Sequence, residues 1–182
     1  MSHPSITEAE TRTHQTFTAL MWALSHPGKI YPLPASGLAA FGAIADALID
    51  LETSYYSSHS ELQNLLVRTG ARARSCGEAM YQFYPALRAA TVSALAEAPI
   101  GTYAFPDESA TLILGCTFGA GRALRLSGPG IATTADLWVD GIPDTFWELR
   151  AQICRYPLGW DVVLVGYDRL AGLPRTTRIE VV

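Results

Sequence analysis

The run Val162-Val-Leu-Val165 is apolar at every position. Successive side chains of a strand point to opposite faces, so such a run needs cover on both sides and reads as a central strand. Thr111-Leu-Ile-Leu-Gly-Cys-Thr117 reads as a second buried strand. Together they call for a sheet covered by other elements. With 182 residues, 49% of them hydrophobic and 16% charged, the chain is globular in composition and long enough for a sizeable core. One α/β domain over residues 1–182 is the expectation, with 1–12 as a polar tail.

The rest of the pattern alternates helix and strand. Phe17, Leu20, Met21 and Leu24 recur at helical spacing, and Ser25-His-Pro-Gly28 stops that helix. Ile30 to Pro34 reads as extended. Leu38, Phe41, Ile44, Ala45 and Leu48 mark a second helix, and Thr53 to Ser57 a short strand. Ser58-His-Ser-Glu61 has the form of a capping box before a helix that buries Leu62, Leu65 and Leu66. Thr69 to Gly77 reads as a loop and Met80 to Tyr84 as an aromatic strand. Pro85 opens a predicted helix with a stripe of Leu87, Ala90, Thr91 and Ala94. Thr111–Thr117 and Gly121–Ser127 are predicted to form a hairpin across a glycine turn. Leu137 to Val139 follows as a brief strand. Pro143 opens a helix with Phe146, Leu149 and Ile153 inward, and Arg169–Leu173 and Thr177–Val181 finish the sheet. About five helices with about seven strands give a mixed β-sheet flanked by helices.

Several chemistries are excluded by what is missing. Gly119-Ala-Gly121 begins a Gly-x-Gly, but Leu124 stands where the dinucleotide fingerprint needs its third glycine, and a strand follows. Lys29, the one lysine, lies at a Pro-Gly turn, a poor place for a Schiff base to pyridoxal phosphate. His3, His14, His26 and His59 show no metal-ligand spacing, and Cys76, Cys116 and Cys154 are scattered, so no metal site is expected. There is no Gly-x-Ser-x-Gly elbow. A net charge of −4 argues against a general nucleic-acid partner. Residues 1–10 lack the basic and apolar regions of a signal peptide, and no stretch reaches membrane-span length, so a cytoplasmic protein with no membrane partner is expected.

What remains is a set of arginines beside bends. Twelve arginines stand against one lysine, a bias that genome composition alone also produces. In Gly119-Ala-Gly-Arg-Ala-Leu-Arg-Leu-Ser-Gly-Pro-Gly130, strand alternation puts Arg125 and Ser127 on one face and Arg122 on the other. Gly128-Pro-Gly130 can leave backbone N–H groups free for an anion. Arg175-Thr-Thr-Arg178 adds two guanidinium groups and the hydroxyls of Thr176 and Thr177. Convergence of Arg122, Arg125, Ser127, Gly128, Gly130, Arg175, Thr176, Thr177 and Arg178 would suit a phosphate or phosphonate, with Asp161 as a base or as the group that orients an arginine. The plainer reading is that Arg125 pairs with a carboxylate such as Asp161 and that Gly-Pro-Gly is a turn.

Phe17-Thr-Ala-Leu-Met-Trp-Ala-Leu-Ser-His-Pro-Gly28 resembles the opening of the PhnH family. Gly121-Arg-Ala-Leu-Arg-Leu-Ser-Gly-Pro-Gly-Ile131, Pro157-Leu-Gly-Trp-Asp161 and Leu173-Pro-Arg-Thr-Thr-Arg-Ile-Glu-Val181 carry the same resemblance in the same order. It implies a phosphonate-metabolism subunit of the bacterial carbon–phosphorus lyase core complex. The implied fold is like the large domain of pyridoxal-phosphate transferases, without that cofactor. The implied partners are a second copy of the chain and the subunits PhnG, PhnI and PhnJ. With PhnG, PhnI and the ATPase-like PhnL, such a subunit supports attack of a phosphonate on the ribose C1 of ATP, with Mg²⁺ as a possible companion of the nucleotide. Adenine leaves, and a separate iron–sulfur subunit later breaks the carbon–phosphorus bond. A non-catalytic scaffold that holds the complex together is the alternative, and the resemblance brings no catalytic residue with it.

Overall fold

The computed structural model describes residues 6–182. Val162–Val165 lies in β8 (Asp161–Val165), inside a seven-stranded sheet. The other members are β1 (Ile30–Pro32), β2 (Ser54–Ser57), β3 (Arg72–Ala73), β4 (Tyr81–Tyr84), β5 (Thr111–Gly115) and β9 (Arg169–Leu173). Their order is β1-β9-β8-β5-β4-β2-β3. The pairs from β3 through β8 are parallel, whereas β9 runs antiparallel to both β8 and β1.

Alternation along the two apolar strands divides the core. Ile113, Val163 and Val165 pack with Leu20, Ile44, Leu62 and Leu66 from α1 (Glu8–Ser25), α2 (Leu38–Leu48) and α3 (Ser60–Leu66). Leu112, Leu114, Val162 and Leu164 pack on the other face against Leu124, Leu126, Leu137, Phe146 and Trp160. That second layer holds α4 (Ala89–Val92), α5 (Asp144–Ile153) and a separate antiparallel sheet of order β10-β6-β7. Its strands are β6 (Thr117–Ser127), β7 (Ala135–Asp140) and β10 (Arg178–Val181). Each fully buried Leu, Val or Phe contributes roughly 1.5–3 kcal/mol.

Several expectations change. Thr111–Thr117 and Gly121–Ser127 do not form a hairpin: β5 belongs to the large sheet, and the chain crosses at Cys116 into the small one. The expected glycine turn is a bulge inside β6, where both Phe118 and Arg122 face Val139. Likewise β9 finishes one sheet, but β10 pairs with β6 in the other. No helix opens at Pro85. The segment turns helical at Ala89 and tightens to a 3₁₀ helix over Ser93–Glu97, which buries Val92, Leu95 and Ala98 at a spacing of three. The cap of α3 is His59, whose Nδ1 accepts the Leu62 N–H at 3.3 Å, one residue beyond the expected Ser58. In α5 the sealed residues are Phe146, Trp147 and Arg150, with Leu149 and Ile153 half-buried.

The first helix begins earlier than expected and buries a different face. Thr7 and Glu10 close a capping box, so residues 8–12 are helix; the first five residues of the expected tail lie outside the described residues. Thr16, Ala19, Leu20 and Ala23 face inward, while Phe17 and Met21 stay half-exposed. The cause is close packing on β9. A Cβ added at Gly172 would lie 2.6 Å from the Ala23 carbonyl carbon, so the helix backbone at Ala23 lies directly on the strand there.

Gly172→Ala is therefore expected to lower stability by about 1–3 kcal/mol, as overpacking does, measurable by urea denaturation. A second expectation concerns pH. Burial pushes the Cys116 thiol up to about 12. The folded chain thus holds this proton where the unfolded chain, near pKa ~8.5, releases it. The contribution is fully present below pH ~8.5 and is lost as pH rises toward 12. At pH 8, native Cys116 should react with a thiol reagent far more slowly than in urea, as peptide mapping would read.

Candidate functional site

The last residues of β6 and the first of β10 meet at one end of the small sheet, where Ser127 pairs with Arg178. Beyond Ser127, Gly128-Pro-Gly130 bends away, and the Ile131 N–H donates to the Gly128 carbonyl at 3.1 Å. The bend is wedged between two backbones. A Cβ on Gly128 would sit 2.9 Å from the Thr176 carbonyl oxygen, and one on Gly130 only 2.3 Å from that of Ser25 at the end of α1. Both glycines also hold positive φ, which disfavours other residues.

Opposite lies the link from β9 to β10, residues 174–177. Arg175 clamps it. Its backbone N–H donates to Asp161 Oδ1 at 2.8 Å, and its guanidinium donates to both carboxylate oxygens, at 3.3 and 2.6 Å. Its remaining donors reach the carbonyls of Pro106, at 2.5 Å, and Pro157, at 3.4 Å. The pair is mostly buried, with the Arg175 side chain 15% exposed. Asp161 thus orients an arginine, and the arginine is Arg175, not Arg125.

Between these walls runs a cleft of about 740 Å³, lined by Ser127, Gly128 and Pro129, by Arg175, Thr176 and Arg178, and by Cys154 and Tyr156. Five of the expected residues therefore converge: Ser127, Gly128, Arg175, Thr176 and Arg178. Asp161 stands behind them. Gly130 packs against α1 instead. Thr177 lines a smaller cavity of about 200 Å³ beside the cleft. Arg122 and Arg125 belong elsewhere. Arg122 forms a two-pronged pair with Asp144 at the start of α5, and Arg125 meets Asp136 across β6 and β7 at 3.2 Å. The Arg122 hydrogen bonds hold the Asp144 carboxyl below its usual range. With Arg175 consumed by its clamp, Arg178 is the cleft arginine with no ion pair among the described residues.

One residue of this region escaped the sequence reading. Arg150 of α5 is 3% exposed and donates to the carbonyls of Thr177, Leu173 and Pro174 at 3.2, 3.4 and 2.8 Å. It holds the same link from inside the molecule. The available signal was its spacing: Trp147, Arg150 and Cys154 fall at i, i+3 and i+7, which puts a charge on the apolar face of the helix. Two of the histidines serve helix ends. His59 caps α3, and His26 stacks on Trp22 with its Nδ1 3.2 Å from the Trp22 carbonyl. Among the described residues no group of three or more His, Cys, Asp and Glu side chains gathers to hold a metal ion, and no helix is long and apolar enough to cross a membrane.

Because Arg175 is mostly enclosed, Asp161→Asn should lower stability by about 1–3 kcal/mol. Combined with Arg175→Met in a double-mutant cycle, it should show coupling above ~1 kcal/mol. Arg122→Ala, at an exposed pair, should leave the thermal midpoint nearly unchanged.

Two known proteins are similar to this chain over most of its length. HtxG of Stutzerimonas stutzeri, named as a C–P lyase subunit protein, is 33% identical over 174 residues, which covers 93% of this chain and 86% of that protein. A protein of Rhizobium meliloti (strain 1021), named alpha-D-ribose 1-methylphosphonate 5-triphosphate synthase subunit PhnH, is 31% identical over 178 residues, which covers 90% of this chain and 88% of that one. The model of the bacterial phosphonate metabolism protein PhnH matches residues 4–180, nearly the whole length, and the chain belongs to that family.

Proposed function

We propose that this chain is a subunit of a carbon–phosphorus lyase complex in organophosphonate metabolism. In that complex it supports transfer of the ribose-triphosphate moiety of ATP to a phosphonate, with release of adenine. The observation that carries the proposal is full-length similarity to two proteins named as subunits of such systems. The structure adds support of a different kind. The cleft offers arginine, hydroxyl and backbone groups suited to an anion, but its Asp161 is committed to Arg175 and both His26 and His59 serve helix ends. Such a chain positions substrate and relies on other subunits for chemistry.

The finer parts of the reading follow from the same family. The partners are a second copy and the subunits PhnG, PhnI and PhnJ, in the cytoplasm. ATP with Mg²⁺ is a substrate of the complex, and no pyridoxal phosphate is held, since Lys29 lies exposed on the turn between α1 and β1. A fold of the pyridoxal-transferase kind is supported by the seven-stranded mixed sheet with its reversed β9. The second reading, a non-catalytic scaffold, is favoured by exposed aromatics. Trp138 on β7 is 52% exposed, and Phe17, Met21 and Trp22 lie open on α1. Large aromatic side chains of this sort anchor interfaces.

Reconstitution tests both. The purified chain should turn over no ATP with methylphosphonate, and a complex assembled without it should lose ribosyl transfer. Turnover by the chain alone would overturn the subunit role. Trp138→Ala should weaken capture of the other subunits by about tenfold or more if β7 is a docking surface. Full transfer by a complex lacking this chain would defeat both readings.

A further inference from the structure

The cavity of about 200 Å³ beside the cleft carries an unusual set of groups. Arg150 and Trp147 reach it from α5, and Arg175, Thr177 and Arg178 from the β9–β10 link and β10. Three arginines line it and no acidic residue does. Arg175 is balanced by Asp161, but among the described residues no carboxylate lies within ion-pair distance of Arg150 or Arg178. A buried charge without a direct ion pair is costly, and the more distant Asp161 carboxylate and the carbonyl contacts answer only part of the Arg150 fork. Burial correspondingly pulls the Arg150 pKa down.

Hydrogen-bond accounting points the same way. Arg150 Nε, Trp147 Nε1 and Thr177 Oγ1 are buried and have no protein partner. Arginine and tryptophan nitrogens only donate, so residues that line this cavity carry at least two orphan donors, and the threonine hydroxyl can make a third. Buried polar groups are nearly always paired, so three exceptions on residues that line one cavity point to a ligand rich in acceptors. Size narrows the class. At about 30 Å³ per water, the space takes a handful of waters or one tetrahedral oxyanion with a small substituent, not a nucleoside.

We propose that this cavity is a subsite for a tetrahedral oxyanion, a phosphate or phosphonate group, with Arg150 at its floor and Arg178 at its mouth. Whatever the group is attached to extends into the larger cleft, which shares Cys154, Arg175 and Arg178 with the cavity. The three orphan atoms have almost no solvent contact, so binding includes a small shift of Arg150, Trp147 and Thr177 toward the anion. The proposal concerns this chain's own residues and does not rest on assembly into a complex. Failure of reconstitution would leave it standing, and failure of anion binding would leave the subunit role standing.

The full chain should be titrated calorimetrically with inorganic phosphate, methylphosphonate and acetate at low salt, with the Trp147 indole N–H followed by NMR. Phosphate or methylphosphonate should bind at least about tenfold more tightly than acetate and shift that resonance. Arg178→Ala and Trp147→Phe, which spare the bulk of the packing, should each weaken binding about tenfold. Arg122→Ala, remote from the cavity, should not. Arg150→Met should abolish binding; because it could also unfold the chain, the Arg178 and Trp147 variants carry the decision. No heat and no indole shift at 10 mM (about a thousandfold above a Kd of ~10 μM) would overturn the proposal. Binding unchanged by Arg178→Ala and Trp147→Phe would do so too. Acetate binding as tightly as phosphate would overturn the tetrahedral assignment.

Discussion

Two arginines hold the link between β9 and β10, and much of the second layer depends on that grip. The link has to carry the chain from one sheet to another, so its carbonyls have no ladder to join. Arg150 takes two of them from inside, those of Pro174 and Thr177, together with the carbonyl of Leu173 at the end of β9. Arg175, within the link, ties it outward to Asp161, Pro106 and Pro157. A guanidinium suits this work because its planar fork donates in several directions at once and never loses its charge, which a lysine cannot match. The arginine-over-lysine bias of the chain thus has structural use at these two positions, whatever its origin.

The division of the core was legible from alternation alone. Val162–Val165 and Leu112–Leu114 have apolar side chains on both faces, and both faces are covered, by helices on one side and by the small sheet with α5 on the other. What alternation cannot give is which strand pairs with which. Thr111–Thr117 and Gly121–Ser127 look like hairpin partners because they are neighbours in sequence, yet one residue, Cys116, suffices to switch sheets. The face of α1 was misread for a related reason. Periodicity ranks residues by apolarity, whereas the close approach of the helix backbone to Gly172 turns Ala23 inward, with Ala19 and Leu20, and leaves Phe17 and Met21 half-exposed.

The candidate site was legible in its parts. Gly-Pro-Gly and Arg175–Arg178 do come together, since antiparallel pairing of Ser127 with Arg178 places them side by side. Arg122 and Arg125 share a strand with Ser127, but nearby carboxylates claim both. Arg150 was invisible because a single arginine in a helix normally reads as surface, and only the tertiary fold closes over it. Function-bearing groups here are distinguished less by residue type than by whether a neighbour has already satisfied them.

The Gly-Pro-Gly wall of the cleft has a consequence for how such a site can vary. Its position is set by main chain against main chain, at Thr176 on one side and Ser25 on the other. No side-chain rotamer adjusts it. The width of the opening is therefore a fixed dimension, in the manner of a gauge block. Selectivity between guests of different shape falls to the side chains that line the cleft beside this wall, Tyr156, Thr176 and Arg178, which can be exchanged without moving the backbone that measures the space.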